Sequence, residues 1–117
     1  MVSSGEELLA FQLRAHGFQF EREVRFHKTR LWRFDFVLNI HGSLLAIEVE
    51  GISPNIGRHQ RYKGFQNDCL KYVEGLLCGY DIMRLTTAMV KDGSAIRFLN
   101  RYAEMKKKTL DKEDSVC

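Results

Sequence analysis

Apolar positions follow two periods along this chain, one helical and one alternating. Leu8, Leu9, Phe11, Leu13 and Ala15 form a broad stripe at helical spacing. Ser4, with Glu7 three residues on, makes a capping box before that stripe, and Gly17 is placed to end the helix. A first strand is predicted over about 18–26. Residues 31–40 (LWRFDFVLNI) and 43–50 (SLLAIEVE) are strand-like and flank His41-Gly42, a two-residue turn. With that turn, positions whose numbers sum to 83 face each other, so Ile40 lies opposite Ser43, Leu38 opposite Leu45, Asp35 opposite Glu48 and Arg33 opposite Glu50. Alternation puts Arg33, Asp35, Glu48 and Glu50 on one face and Phe34, Phe36, Ile47 and Val49 on the other.

After Glu50 the pattern changes. Residues 51–63 (GISPNIGRHQRYK) read as a turn-rich basic loop. A second helix is predicted over about 65–78, with Phe65, Cys69, Val73, Leu76 and Leu77 on its inward face and Gly79 as its stop. Residues 80–86 (YDIMRLT) read as a strand, 88–91 as one helical turn. A last helix starts near Ser94 and carries Ile96, Leu99 and Ala103 inward. The order αβββαβα predicts an α/β domain: a mixed sheet that begins as a meander, crosses over through a helix to a fourth strand, and is flanked by helices. The expected division is one domain over 1–105 and a polar, fraying tail over 106–117.

Composition narrows the class. The 117 residues suit one domain, and 44% hydrophobic with 28% charged residues is ordinary globular usage. No apolar run is long enough for a membrane span. Glu6 and Glu7 stand where a secretory leader would carry basic residues, so a cytoplasmic location is expected. Cys69, Cys78 and Cys117 are an odd number at irregular spacing, which suggests neither a disulfide framework nor a zinc ribbon; Cys69 and Cys78 are expected as structural thiols, Cys69 facing inward.

Net charge is only +3, but its distribution is uneven. Residues 14–34 hold six basic residues against two acidic ones, and Arg58, Arg61 and Lys63 lie together with His59 and no acid. Aromatics are interleaved with both groups. The pattern fits a phosphate-binding surface that positions nucleic acid without reading its sequence. The alternative is an ordinary solvated basic face.

Asp35 and Glu48 carry the main chemical signal. Like charges directly opposite destabilise a sheet, and a hard divalent cation would relieve the repulsion. Glu50 lies farther along the same face, and Glu6 would reach the site if the first helix packs beside it. Arg33 is the competing partner, a plain neutralising cation for these acids.

The runs W-R-F-D-F-V at 32–37 and L-A-I-E-V-E-G at 45–51 resemble the core of the PD-(D/E)XK nuclease superfamily, which includes restriction endonucleases, Holliday-junction resolvases and VRR-NUC domains. The continuation G-R-H-Q-R-Y-K-G-F-Q-N-D-C-L-K-Y at 57–72, then G-Y-D-I-M-R-L at 79–85, is similar to small phage and prophage proteins of this type. The resemblance implies a restriction-endonuclease-like fold and a Mg²⁺- or Mn²⁺-dependent endonuclease. It would act on DNA rather than RNA, branched DNA included, in a bacterial cell or phage-infected host, with a homodimer supplying two sites. By position it makes Glu6, Asp35, Glu48 and the Val49 carbonyl metal ligands, and Asp35, Glu48 and Glu50 the strand catalytic positions; Arg58, His59, Arg61 and Lys63 are expected as nucleic-acid contacts from their charge and chemistry. Glu50 departs from the family, because it holds the position of a lysine that orients water or stabilises charge. Lys71 or Lys63 would have to replace it. If neither does, the chain is a nuclease-fold module that binds nucleic acid or protein without catalysis.

Overall fold

The computed structural model describes residues 4–51 and 58–116, and of 58–60 and 113–116 the backbone only. The elements run α1 (Ser4–Ala15), β1 (Glu21–Arg25), β2 (Arg33–Ile40), β3 (Ser43–Glu50), α2 (Arg58–Leu77), β4 (Tyr80–Thr86), α3 (Thr87–Lys91) and α4 (Ser94–Val116). One four-stranded sheet has the order β1-β2-β3-β4. The first three strands form an antiparallel meander, and β4 lies parallel to β3. A parallel neighbour requires a crossover, which α2 supplies. This is the mixed, helix-flanked sheet that the alternating and helical periods predict.

The β2–β3 hairpin keeps the expected register from Ile40↔Ser43 to Phe36↔Ile47. His41 and Gly42 both have positive φ, 50° and 87°, as a two-residue turn matched to strand twist requires. At its other end α1 closes on Gly17, where the Phe18 N–H donates to the Leu13 carbonyl and the Gly17 N–H to that of Arg14.

Side-chain alternation fails at one place, and that place matters. Phe36, Leu38 and Ile40 pack into the larger core with Leu9, Leu13, Ile47, Leu85, Val90 and Leu99. Phe34 packs instead with Val37 and Ala46 in a smaller core on the opposite side of the sheet. The expectation that Phe34 shares a face with Phe36 and Ile47 is therefore wrong. On the neighbouring strand, Arg22 pairs with Phe36 and Val24 with Phe34. Glu23 between them has φ 53°, in the left-handed region. Both strands thus lose their alternation together at Glu23 and Asp35. A left-handed residue with a side chain costs roughly 1–2 kcal/mol, so local packing must hold the break in place.

Three helical expectations also change. On α1, Leu9, Ala10 and Leu13 are buried, while Phe11 and Ala15 are exposed. Phe11 stands about 160° around the helix from Leu9, too far to share a narrow face. Helix α2 begins at Arg58, so the expected basic loop is helical from that residue on. Its apolar residues point outward: Phe65, Val73, Leu76 and Leu77 are 64%, 55%, 64% and 74% exposed. Cys69 and Cys78 are exposed too, not packed inside. Lys71, Tyr72 and Gly75 face the sheet instead. Finally, α4 stays helical to Val116, through the segment expected to fray. Tyr102 donates to Asp81 at 2.6 Å and Lys106 pairs with the same carboxylate at 3.2 Å, which fastens α4 to β4. No helix among the described residues is long and apolar enough to cross a membrane.

Gly75 decides which face of α2 meets the sheet. A Cβ there would stand 2.8 Å from Phe34 Cζ and 3.1 Å from Ile82 Cδ1. Phe34 cannot yield easily, because it is fully buried and stacked on Phe26 with centroids 4.1 Å apart. Gly64, in the same helix, has nothing within 4 Å of a Cβ. The two glycines should respond oppositely to alanine. Gly64→Ala should stabilise by about 0.5–1 kcal/mol through helix propensity. Gly75→Ala should destabilise by about 1 kcal/mol or more, since overpacking outweighs that gain. Urea unfolding of both variants reads the two signs directly.

Candidate active site

The site grows from the break in the sheet. The Val49 N–H donates to Asp35 Oδ2 at 2.8 Å, and the Asp35 N–H donates to Glu48 Oε2 at 3.2 Å. Each strand thus holds the other's acid through its backbone, just past the last ladder pair, Phe36↔Ile47. The two carboxylates converge as the hairpin register implies. Glu48 is 6% exposed, a buried acid in an otherwise apolar core.

Two further acids approach from other elements. Glu6, in the first turn of α1, comes against Asp35. Glu23 joins from β1, carried there by its left-handed backbone. One oxygen from each of Glu6, Glu23 and Asp35 lies within 4.8 Å of the others. The sequence reading missed Glu23. Alternation alone would treat it as one more strand position, and no motif marks a residue that reaches the site through a positive φ.

Cations border the cluster on two sides. The Lys71 ammonium, from α2, contacts Glu48 Oε1. Arg22 stands 3.8 Å from Glu6 and 2.9 Å from Glu7. Burial pushes Glu6 up to about 7, helped by Asp35 and Glu23 and opposed by Arg22. Burial also pushes Glu48 up to about 7; the negative charge of Asp35 adds to this and Lys71 opposes it.

Glu50 has a different environment. Arg84 grips its carboxylate with two hydrogen bonds, Nε to Oε2 at 2.9 Å and a terminal nitrogen to Oε1 at 2.6 Å. The Tyr72 hydroxyl adds a third at 3.3 Å. Burial, with the charges of Glu48 and Glu50, keeps that phenol protonated and able to donate. The expected partner Arg33 is thus replaced by Arg84, the β4 residue paired with Glu48. Asp68 lies 3.8 Å from the same guanidinium.

Of the basic group, Arg61 and Lys63 are exposed on the early turns of α2. Arg58 and His59 begin that helix, and their side chains lie outside the described residues.

No protein-family model matches this sequence, and no curated protein does. Among solved structures, the chain is similar to the homing endonuclease I-Bth0305I catalytic domain. The match has a TM-score of 0.55 at 16% identity and covers 87% of this chain and 94% of that one. At that identity the likeness is one of fold.

The raised acids give a signed pH dependence. A carboxyl whose folded-state pKa exceeds its unfolded value keeps its proton longer in the folded state. Its stabilising contribution is present below about pH 4.5 and is lost as pH rises through about 7. In chelator, the melting temperature should fall between pH 5.5 and 8. Glu48→Gln, which cannot titrate, should flatten that slope. An equally steep slope in the variant would remove Glu48 from the account.

Proposed function

We propose that this protein is a Mg²⁺- or Mn²⁺-dependent endonuclease of the PD-(D/E)XK type that hydrolyses phosphodiester bonds of DNA. The observation that carries the reading is the cross-braced Asp35–Glu48 pair with the Lys71 ammonium on Glu48. The fold likeness to a homing endonuclease catalytic domain supports it.

The donor set fits a hard divalent cation. Glu6, Glu23 and Asp35 offer only carboxylate oxygens, within 4.8 Å of one another. Donors at ~2.1 Å from one Mg²⁺ stand at most ~4.2 Å apart, so a small inward closure suffices. Glu6, Asp35 and Glu23 would hold the ion, with Glu48 and the Val49 carbonyl beside them. When bound, such an ion supplies Lewis acidity to a phosphoryl oxygen and to the attacking water.

The protein's own groups have distinct tasks. Lys71 supplies from α2 the positive charge that the family places at the position of Glu50. Its ammonium orients the water or counters the charge that develops on the phosphate. Glu50, held by Arg84 and Tyr72, is a positioning residue that anchors α2 against β3 and β4. Arg61 and Lys63, with Arg58 and His59 before them, grip backbone phosphates.

Supercoiled plasmid and branched DNA, incubated with Mg²⁺ or Mn²⁺, provide the test. The native protein should nick at least one of them. Asp35→Asn should abolish nicking, and Lys71→Met should slow it by roughly 10²–10³-fold while DNA binding persists. Glu23→Gln should weaken Mn²⁺ affinity, with cleavage partly recovered at high metal. Binding in chelator with no cleavage under either ion would favour the binding-module reading, for which Glu50 at the lysine position is the argument. Arg61→Ala should also lower the slope of log affinity against log salt by about one, as loss of a single phosphate contact requires.

A further inference from the structure

Helix α2 is amphipathic in the inverse sense. Tyr62, Phe65, Cys69, Val73 and Leu76 follow one another at spacings of three and four, the period of a packed helical seam. Tyr62, Phe65, Val73 and Leu76 are 66%, 64%, 55% and 64% exposed. Lys71 and Gly75 stand on the far side of the helix, against the sheet. No described residue covers the seam, and Leu70 and Leu77 widen it, at 50% and 74% exposed. Its exposed area is roughly 600 Å², at the upper limit for the largest apolar patch of an ordinary monomer.

We propose that this seam binds a second copy of the chain, the two α2 helices lying antiparallel about a two-fold axis that passes near Cys69. Two features favour this occupant. The first is self-complementarity: with Cys69 on the axis, Tyr62 meets the partner's Leu76 and Phe65 meets the partner's Val73, large against small at each step. The second is the opposition of the two helix dipoles, which an antiparallel arrangement makes favourable and a parallel one does not. Two such patches together bury roughly 1,200 Å², the lower bound for a specific stable interface. The pairing is independent of the nuclease reading, and it leaves the Lys71 side of each α2 facing its own sheet.

Sedimentation equilibrium of the full chain tests the interface. The native protein should show a species of twice 13.6 kDa. Val73→Glu and Phe65→Glu should each raise the dimer dissociation constant on the order of 100-fold, with helical circular dichroism unchanged because both side chains are already exposed. A short bismaleimide should link two chains in the Cys78→Ser/Cys117→Ser protein and fail in Cys69→Ser. A monomer at every concentration up to the solubility limit overturns the proposal and leaves the seam for a different partner. A dimer indifferent to Val73→Glu and not linked through Cys69 overturns it as well, because it uses another surface.

Discussion

Repulsion among carboxylates is the constraint around which this structure is arranged. Glu6, Glu23, Asp35 and Glu48 come from three strands and a helix, yet they converge on one break in the sheet. Folding alone gives no reason to gather them, since like charges across a sheet are destabilising and burial raises the cost. The surroundings offset the charge in three ways. Backbone N–H groups of Asp35 and Val49 hold the facing acids. Lys71 and Arg22 supply cations at the margins. Protons remain on Glu6 and Glu48 up to near neutral pH. In the proposed reading, a site kept in this condition would receive a positive ligand.

The same constraint explains why the expected lysine can leave its strand. In the proposed nuclease the chemistry would need an ammonium beside Glu48, and no particular backbone position is required for that. A helix that crosses over the sheet close to Glu48 can deliver it, provided the helix comes near enough. Gly75 permits that approach, because a Cβ there would stand 2.8 Å from Phe34 Cζ. With Lys71 in place, a lysine at position 50 would add a second cation. The chain has Glu50 there instead, closed by Arg84 and Tyr72 into a brace between α2, β3 and β4.

Much of this was legible in the sequence, for reasons that can be named. The His41-Gly42 turn admits few backbone geometries, so the hairpin register followed, and with it the meeting of Asp35 and Glu48. The break at Glu23 and Asp35 was not legible. It depends on Phe34 and Phe36 choosing opposite cores, which is a tertiary choice between two equally apolar residues. The start of α2 was hidden because GRHQRYK carries no apolar period. Its orientation was misread because helical patterning assumes that the apolar side faces inward. The fold class survived these errors, since it rests on element order and on a crossover that any orientation of α2 would satisfy.

The inversion of α2 and the chemistry of the site are two consequences of one rotation. Turning the helix by half a turn would bury Phe65, Val73 and Leu76 against the sheet, as its pattern alone would favour. It would also carry Lys71 into solvent, leave Glu48 buried beside Asp35 without its cation, and release Glu50 from Tyr72. An uncompensated buried carboxylate costs several kcal/mol, comparable with the gain from burying two or three apolar side chains. Gly75 adds to this balance, because any side chain at that position would keep the backbone from descending onto Phe34. The sequence therefore satisfies the buried acid first and leaves an apolar seam facing outward. That seam is the surface which the proposed pairing of two chains would cover.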